Sequence, residues 1–186
     1  MDKWSKKRRI MQRYDVTAHI YDLWYSEEQT AKIKAALKSM RLTKRNCALD
    51  VGCGTGILFN YVADRVNTIV GLDISKKMLA EARDNAHNSR NIYLVAADAD
   101  NMPFRDSFFE RVFAFTLIQN LPSPARTLEE IKRVAAKNAL FVITGMKKSF
   151  SKEDFKKLLH AAGLKIVDLE DEDLKCSVAV CVRISH

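Results

Sequence analysis

The sequence predicts an α/β fold built on a mostly parallel sheet with one antiparallel strand, and three observations carry that prediction. From residue 47 onward, short apolar runs of strand length alternate with stretches of helical periodicity. The first run empties into glycines, Gly52-Cys53-Gly54-Thr55-Gly56, as a strand does when it turns tightly into a helix. The last two runs are joined by only a short acidic turn, which implies a closing hairpin rather than another crossover.

The elements follow in order. Ser26-Glu27-Glu28-Gln29 has capping-box spacing, and Ile33, Leu37 and Met40 then recur at helical intervals, so a helix is expected to start there. An aromatic stretch with Tyr14, Tyr21, Trp24 and Tyr25 lies upstream and also reads as helical. Cys47–Val51 is the first strand, followed by a helix through Tyr61 and Val62. Residues 68–74 form the second strand, and Ser75 caps a helix expected to run to about Asn88. Residues 92–97 are the third strand, and 110–117 the fourth, nearly all apolar as a strand covered on both faces should be. Ser123-Pro124 opens a helix in the N-cap/N1 arrangement, with Leu128, Ile131 and Val134 as its buried stripe. Residues 139–144 are the fifth strand. Ser151 caps a helix that Gly163 ends. Strands at 164–169 and 176–184 finish the chain around Glu170-Asp171-Glu172-Asp173.

With 186 residues and no internal repeat or linker, one domain is expected over 1–186, with residues 1–42 as a basic leader plus N-terminal helices over the site and 43–186 as the core. No apolar run is long enough to span a membrane, and no apolar segment follows the charged start, so a cytoplasmic protein is expected. The four cysteines lack C-x-x-C spacing and no His/Asp/Glu cluster has metal-ligand spacing, which leaves buried inert thiols and no metal as the reading. Of the formal net charge of +8, most sits in residues 1–13, where Lys3, Lys6, Lys7, Arg8, Arg9 and Arg13 face only Asp2. Such a leader suits phosphate contacts or is simply a solvated, frayed end.

Three acids narrow the chemistry. Asp50 precedes the glycines, where it suits a ligand bearing an ammonium group, such as the methionine end of S-adenosylmethionine (SAM), better than a pyrophosphate. Asp73 ends the second strand 21 residues after Gly52, the place where a doubly wound fold sets the acid that binds ribose hydroxyls. Asp98 ends the third strand in Ala97-Asp98-Ala99-Asp100-Asn101-Met102-Pro103-Phe104, where an oxygen can accept from an adenine amino group. Each acid alone is equally a cap or loop residue. Three at successive carboxyl ends of one sheet point to a ligand.

From Cys47 to the C-terminus the chain resembles the class I, Rossmann-like SAM-dependent methyltransferases, on the motifs LDVGCGTG, GLDIS and AADADNMPF. The resemblance implies a three-layer αβα fold with a seven-stranded sheet whose last strand is antiparallel. It also implies roles: Gly52, Gly54 and Gly56 against the methionine and ribose, Asp50 at the amino-acid end, Asp73 on the ribose hydroxyls, Ile74 and Met78 near the adenine, and Asp98 with Ala99 at its edge. Tyr14-Asp15-x-x-Ala18-x-x-Tyr21-Asp22 resembles the N-terminal pattern of the subgroup that holds the ubiquinone and menaquinone C-methyltransferases. Tyr14 and Tyr21 share a helical face, where they either close the site or pack on the domain.

The acceptor is expected at the end of the fourth strand, near Thr116, Gln119 and Asn120, in a pocket beneath Tyr14, Tyr21 and Trp24. Many members of the subgroup carry histidine near the Gln119–Asn120 position; this chain does not, so a histidine base is not expected there. Asn120-Leu121-Pro122-Ser123 lacks the second proline and the aromatic of the Asn-Pro-Pro-Tyr motif of nitrogen methyltransferases. His19 is the one histidine in a candidate segment, and reads more naturally as a surface or capping residue. The sequence leaves open a small-molecule acceptor, an RNA acceptor reached through the basic leader, or a SAM-binding subunit that does no chemistry itself. A dinucleotide-dependent dehydrogenase fits less well, since the glycines read G-x-G-x-G rather than G-x-G-x-x-G.

Overall fold

The computed structural model describes residues 2–86 and 89–184. Seven strands form one sheet in the order β3-β2-β1-β4-β5-β7-β6, with β1 at Cys47–Val51, β2 at Thr68–Asp73, β3 at Ile92–Ala96, β4 at Phe109–Ala114, β5 at Ala135–Met146, β6 at Leu164–Glu170 and β7 at Cys176–Arg183. The first five pair in parallel, and β7 runs antiparallel to both β5 and β6. The antiparallel strand of the sequence reading is therefore β7, reached through the hairpin with β6. The chain walks outward from β1 to β3 and then crosses back to place β4 on the other side of β1. That reversal opens a crevice at the carboxyl ends of β1 and β4, where open α/β sheets receive their ligands.

Strand alternation sends side chains to two cores, one on each face. Leu49, Val51, Leu72, Val112, Phe141 and Ile143 pack with Leu128 and Ile131 of α4 (Pro124–Val134) and with Phe155 and Leu159 of α5 (Lys152–Ala161). On the opposite face Ala48, Ile69, Phe113, Val142 and Val178 meet α1 (Lys3–Ser39), α2 (Phe59–Val62) and α3 (Lys76–Asn85) through Ile33, Phe59 and Leu79. Helices on both faces make the three layers.

The N-terminus departs from the sequence reading. One helix of 37 residues runs from Lys3 to Ser39, with Asp2 as its cap accepting from the Ser5 amide at 2.9 Å. Ser26 is an exposed residue in its middle and caps nothing, because the bonds of Asp22 to Thr55 and of Gln29 to Thr116 dock the helix on either side of it. The leader is thus the first third of a structural helix rather than a frayed end. Smaller departures have equally local causes. β4 stops at Ala114, because Thr116 takes φ +53° and turns the chain out of the sheet. β5 begins at Ala135 directly after α4, longer than the apolar run 139–144, because Ala135 pairs with Phe109 on an otherwise solvated stretch. Ser123 stands at the N-cap of α4 without a side-chain capping bond, leaving Pro124 to set the start. The helix after Ser75 is described to Ala86; its expected end at Asn88 lies outside the described residues.

Cys47, Cys53, Cys176 and Cys181 are free thiols, and burial pushes Cys181 up to about 12. No helix of the described residues is long and apolar enough to cross a membrane. Among the same residues no group of three His, Cys, Asp or Glu side chains converges as a metal site.

Candidate cofactor and acceptor site

The crevice is a cleft of about 750 Å³, partly open to solvent, floored by the ends of β1, β2, β3 and β4 and roofed by the first half of α1. Of the residues singled out in the sequence, Gly52, Gly54, Asp73, Ile74, Met78, Asp98 and Ala99 line it at one end, and Tyr14, Tyr21, Thr116 and Asn120 line it at the other. Asp50 lines a smaller adjoining cavity of about 370 Å³, shared with Tyr21, Gln29 and Gly52–Thr55. Three of the named residues are elsewhere. Gly56 lies behind the loop with φ +81°, where an added Cβ would sit 2.4 Å from the Phe59 ring. Trp24 is 57% exposed on the outer side of α1. Gln119 points away from the cleft, its amide nitrogen and oxygen buried with no hydrogen-bond partner among the described residues.

The glycine loop is held by Asp73. Its carboxylate accepts from the Gly54 amide at 3.0 Å and the Ser75 amide at 2.8 Å, tying the loop to the start of α3. Gly54 has φ +55° and nothing within 4 Å of where its Cβ would point. A side chain there would fill the cleft, so the loop offers bare backbone to whatever enters. Asp50 is 3% exposed, and burial, with the Asp73 charge adding to it, pushes its carboxyl up to about 8. Burial also raises Asp73, against the pull of its backbone hydrogen bonds. Two acids confined together in a desolvated site, both disfavoured as anions, form a receptor for positive charge.

The roof is fastened by polar contacts that span the chain. Asp15 accepts from Ser75 Oγ at 2.5 Å, and Asp22 accepts from Thr55 Oγ1 at 2.5 Å and from Asn85 Nδ2 at 3.1 Å. Lys7 is the least expected of these residues. It is 8% exposed, and its ammonium donates to both oxygens of Asp98, at 2.7 and 2.6 Å, and to Asp100. A lysine inside the run Lys6-Lys7-Arg8-Arg9 carries no local sign of burial; only the fold, by bringing residue 98 beneath it, selects it from its neighbours.

At the far end, Thr116 is the pivot. A β-branched residue at φ +53° is strained, and the surroundings hold it: its amide donates to Thr144 Oγ1 at 2.7 Å and its carbonyl accepts from Asn120 Nδ2 at 2.8 Å. Its hydroxyl meets Gln29 Nε2 and Lys32 Nζ, each at 3.1 Å. Lys32 is fully buried, paired with Glu28 at 2.6 Å one helical turn away. Gln29 also donates to the Tyr21 hydroxyl at 3.2 Å, and Asn120 to the Tyr14 hydroxyl at 2.9 Å. Burial, reinforced by Tyr14, raises Tyr21 further above the ordinary phenol range, so it is a neutral hydroxyl at physiological pH. Sequence reasoning gave Gln29 only a place in a capping box and gave Lys32 no role. Both look like ordinary helix-surface residues until α1 is docked on β4.

The bare loop, the paired acids and the apolar walls at Ile74, Met78 and Leu72 suit a ligand with a cationic end and a flat ring. Residues 49–143 match the family model described as a methyltransferase domain. The chain is 32% identical over 132 residues to a malonyl-[acyl-carrier protein] O-methyltransferase from a Marinomonas species, covering 70% of this chain and 48% of that protein. It is also 32% identical over 130 residues to a demethylmenaquinone methyltransferase from Staphylococcus carnosus, covering 68% of this chain and 53% of that one. The chain therefore spans about half the length of these two relatives. In fold it superimposes with a TM-score of 0.87 and 13% identity on a Burkholderia thailandensis 1,6-didemethyltoxoflavin-N1-methyltransferase bound to its substrate and S-adenosylhomocysteine (SAH), over 100% of this chain and 92% of that one. The seven-stranded order with β7 antiparallel, the glycine loop and the family match together place this chain in the class I SAM-dependent methyltransferases.

Proposed function

We propose that the protein transfers the methyl group of SAM to a small molecule bound between Thr116 and the tyrosines of α1. The observation that carries this reading is the two-ended cleft, acidic at the glycine loop and roofed by Tyr14 and Tyr21 over the end of β4. SAM supplies a sulfonium-activated methyl group, so the protein's share is alignment and exclusion of water. In this reading Asp50 and the backbone at Gly52 and Gly54 receive the amino-acid end, Asp73 the ribose hydroxyls, and Asp98 with Ala99 the edge of the adenine, against Ile74 and Met78. Lys32 is engaged with Glu28, and among the described residues no histidine lines the cleft, so a protonated acceptor has no evident base there. The nucleophile then either has a low pKa or carries no proton to lose.

Lys7 bears on cofactor entry, because it holds the Asp98 oxygens that an adenine amino group would use. Lys7→Met is expected to tighten SAH binding roughly fivefold, the worth of about one ordinary hydrogen bond released from competition. Titration calorimetry checks this; weaker binding would mean that Lys7 supports the site instead.

The basic leader keeps an RNA acceptor as a second reading, with Lys3, Arg8 and Arg9 exposed on α1. Incubating the isolated chain with methyl-labelled SAM and either the small-molecule or the RNA fraction of a cell extract tests both. Label in the small-molecule fraction supports the proposal, label in RNA replaces it, and label in neither favours a SAM-binding subunit that acts through a partner.

A further inference from the structure

The charged side chains that line the cleft among the described residues, Lys7, Asp73 and Asp98, gather at one end. The carboxylates that line it, Asp73 and Asp98, are both at the cofactor end, and none lines the wall around Tyr14, Tyr21, Thr116 and Asn120. Cations stand behind that wall instead. Lys32 is buried against Thr116, and its partner Glu28 is shared with Lys175 at 3.3 Å, so two ammonium groups face one carboxylate. Arg13 lies over the Tyr14 ring at 4.9 Å and donates to Asn120 Oδ1 at 3.2 Å. Behind the acceptor end, then, three cations, Lys32, Lys175 and Arg13, stand with the carboxylate of Glu28.

The hydroxyls at this end are aimed by their partners. Tyr14 accepts from Asn120 and Tyr21 accepts from Gln29, and neither phenol donates to any described residue. An amide N–H occupying the lone pair leaves each O–H as a donor for something else. Both rings line the cleft, beside Phe115, Leu117, Leu121 and Ile10, which give an apolar slot for a flat body.

We propose that the methyl acceptor is a small, flat anion whose negative oxygen is received by the Tyr14 and Tyr21 hydroxyls, with Arg13 and Lys32 standing behind them. The proposal rests on the methyl-transfer reading above and names the chemistry of its second substrate: a phenolate, enolate or carboxylate. The bond changes balance without a base. A lone pair of the anion forms the new bond to the methyl carbon, and the carbon–sulfur pair returns to sulfur. Anion and sulfonium are both neutralised, and no proton has to leave. Gln29 and Asn120 are positioning residues, which fix where the two phenol protons point.

The test uses the full chain saturated with SAH and two probes of nearly equal shape, 4-nitrophenolate and its neutral methyl ether 4-nitroanisole. The phenolate is expected to bind at least tenfold more tightly than the ether, as charge-assisted hydrogen bonds require. Tyr14→Phe and Tyr21→Phe each bring that ratio down severalfold, and Gln29→Leu lowers it while leaving 4-nitroanisole binding in place. A loosened fold would weaken both probes together, so the ratio separates aim from stability. Equal binding of the two probes with SAH bound, no binding of either, or a ratio unmoved by both tyrosine variants would overturn the proposal. Failure of SAH itself to bind would overturn the methyl-transfer reading instead.

Discussion

SAM affinity should rise steeply with pH up to about 8 and then level off. Asp50 sits in a desolvated site with its carboxyl raised to about 8, burial being the larger cause and the Asp73 charge the smaller. Below that pH the free protein holds Asp50 neutral, and a cationic ligand must drive off the proton to gain a charge partner. Each pH unit below 8 then costs up to about tenfold in affinity, since one pKa unit is worth about 1.4 kcal/mol. Between pH 6 and 8 an increase of about fiftyfold is expected, with proton release at pH 6 seen as a dependence of the binding enthalpy on the buffer's ionisation heat. Stability of the free protein moves the other way. The folded pKa of Asp50 lies above its unfolded value near 4, so its favourable contribution is full below pH 4 and is lost as pH rises to about 8. The apo melting temperature should fall over that window, and SAM should restore more of it at pH 8 than at pH 6. Affinity that is flat from pH 6 to 8 would mean that Asp50 does not face the ligand's charge.

Gly56→Val should be the most damaging single change in the loop, although Gly56 does not line the cleft. Its φ of +81° lies where a β-branched residue is strained, and its Cβ would stand 2.4 Å from one ring carbon of Phe59 and 2.5 Å from another. Phe59 is 3% exposed and belongs to the core that joins α2 to the sheet, so the ring has little room to yield. Left-handed backbone costs about 1–2 kcal/mol and overpacking typically 1–3. A loss of about 3 kcal/mol should lower the melting temperature by roughly 6–12 °C in a chain of this size. Urea denaturation followed by circular dichroism measures it. Gly54→Val is the contrast, since open space surrounds its Cβ direction: similar backbone strain, a smaller loss of stability, and a cleft partly filled.

The fold was legible where local chemistry and tertiary demand agree. β1, β2 and β3, the Ser75 and Ser151 caps and the Gly163 stop are written in short windows, and the structure has them there. So were the positions of Asp50, Asp73 and Asp98, which sit at strand ends that the strands themselves announce. The N-terminal helix was not. A capping-box spacing at Ser26 is a local preference of a kcal/mol or so, and the bonds of Asp22, Gln29 and Lys32 to the loops after β1 and β4 outweigh it. The roof contacts were illegible for the same reason. Lys7 meets Asp98 across 91 residues of sequence and Lys32 meets Thr116 across 84, and nothing in either neighbourhood marks a buried lysine. Gly56 shows the reverse case: a motif residue whose spacing suggests ligand contact and whose surroundings give it to Phe59.

Whether the strand-end acids and the bare glycine loop receive SAM is decided by titration calorimetry of the full chain with SAH and with NAD, on wild type and Asp73→Ala. SAH is expected to bind more tightly than NAD, and Asp73→Ala to weaken SAH by about 1–3 kcal/mol through lost charge-assisted hydrogen bonds. NAD binding the more tightly, or SAH binding unchanged in the variant, would contradict it.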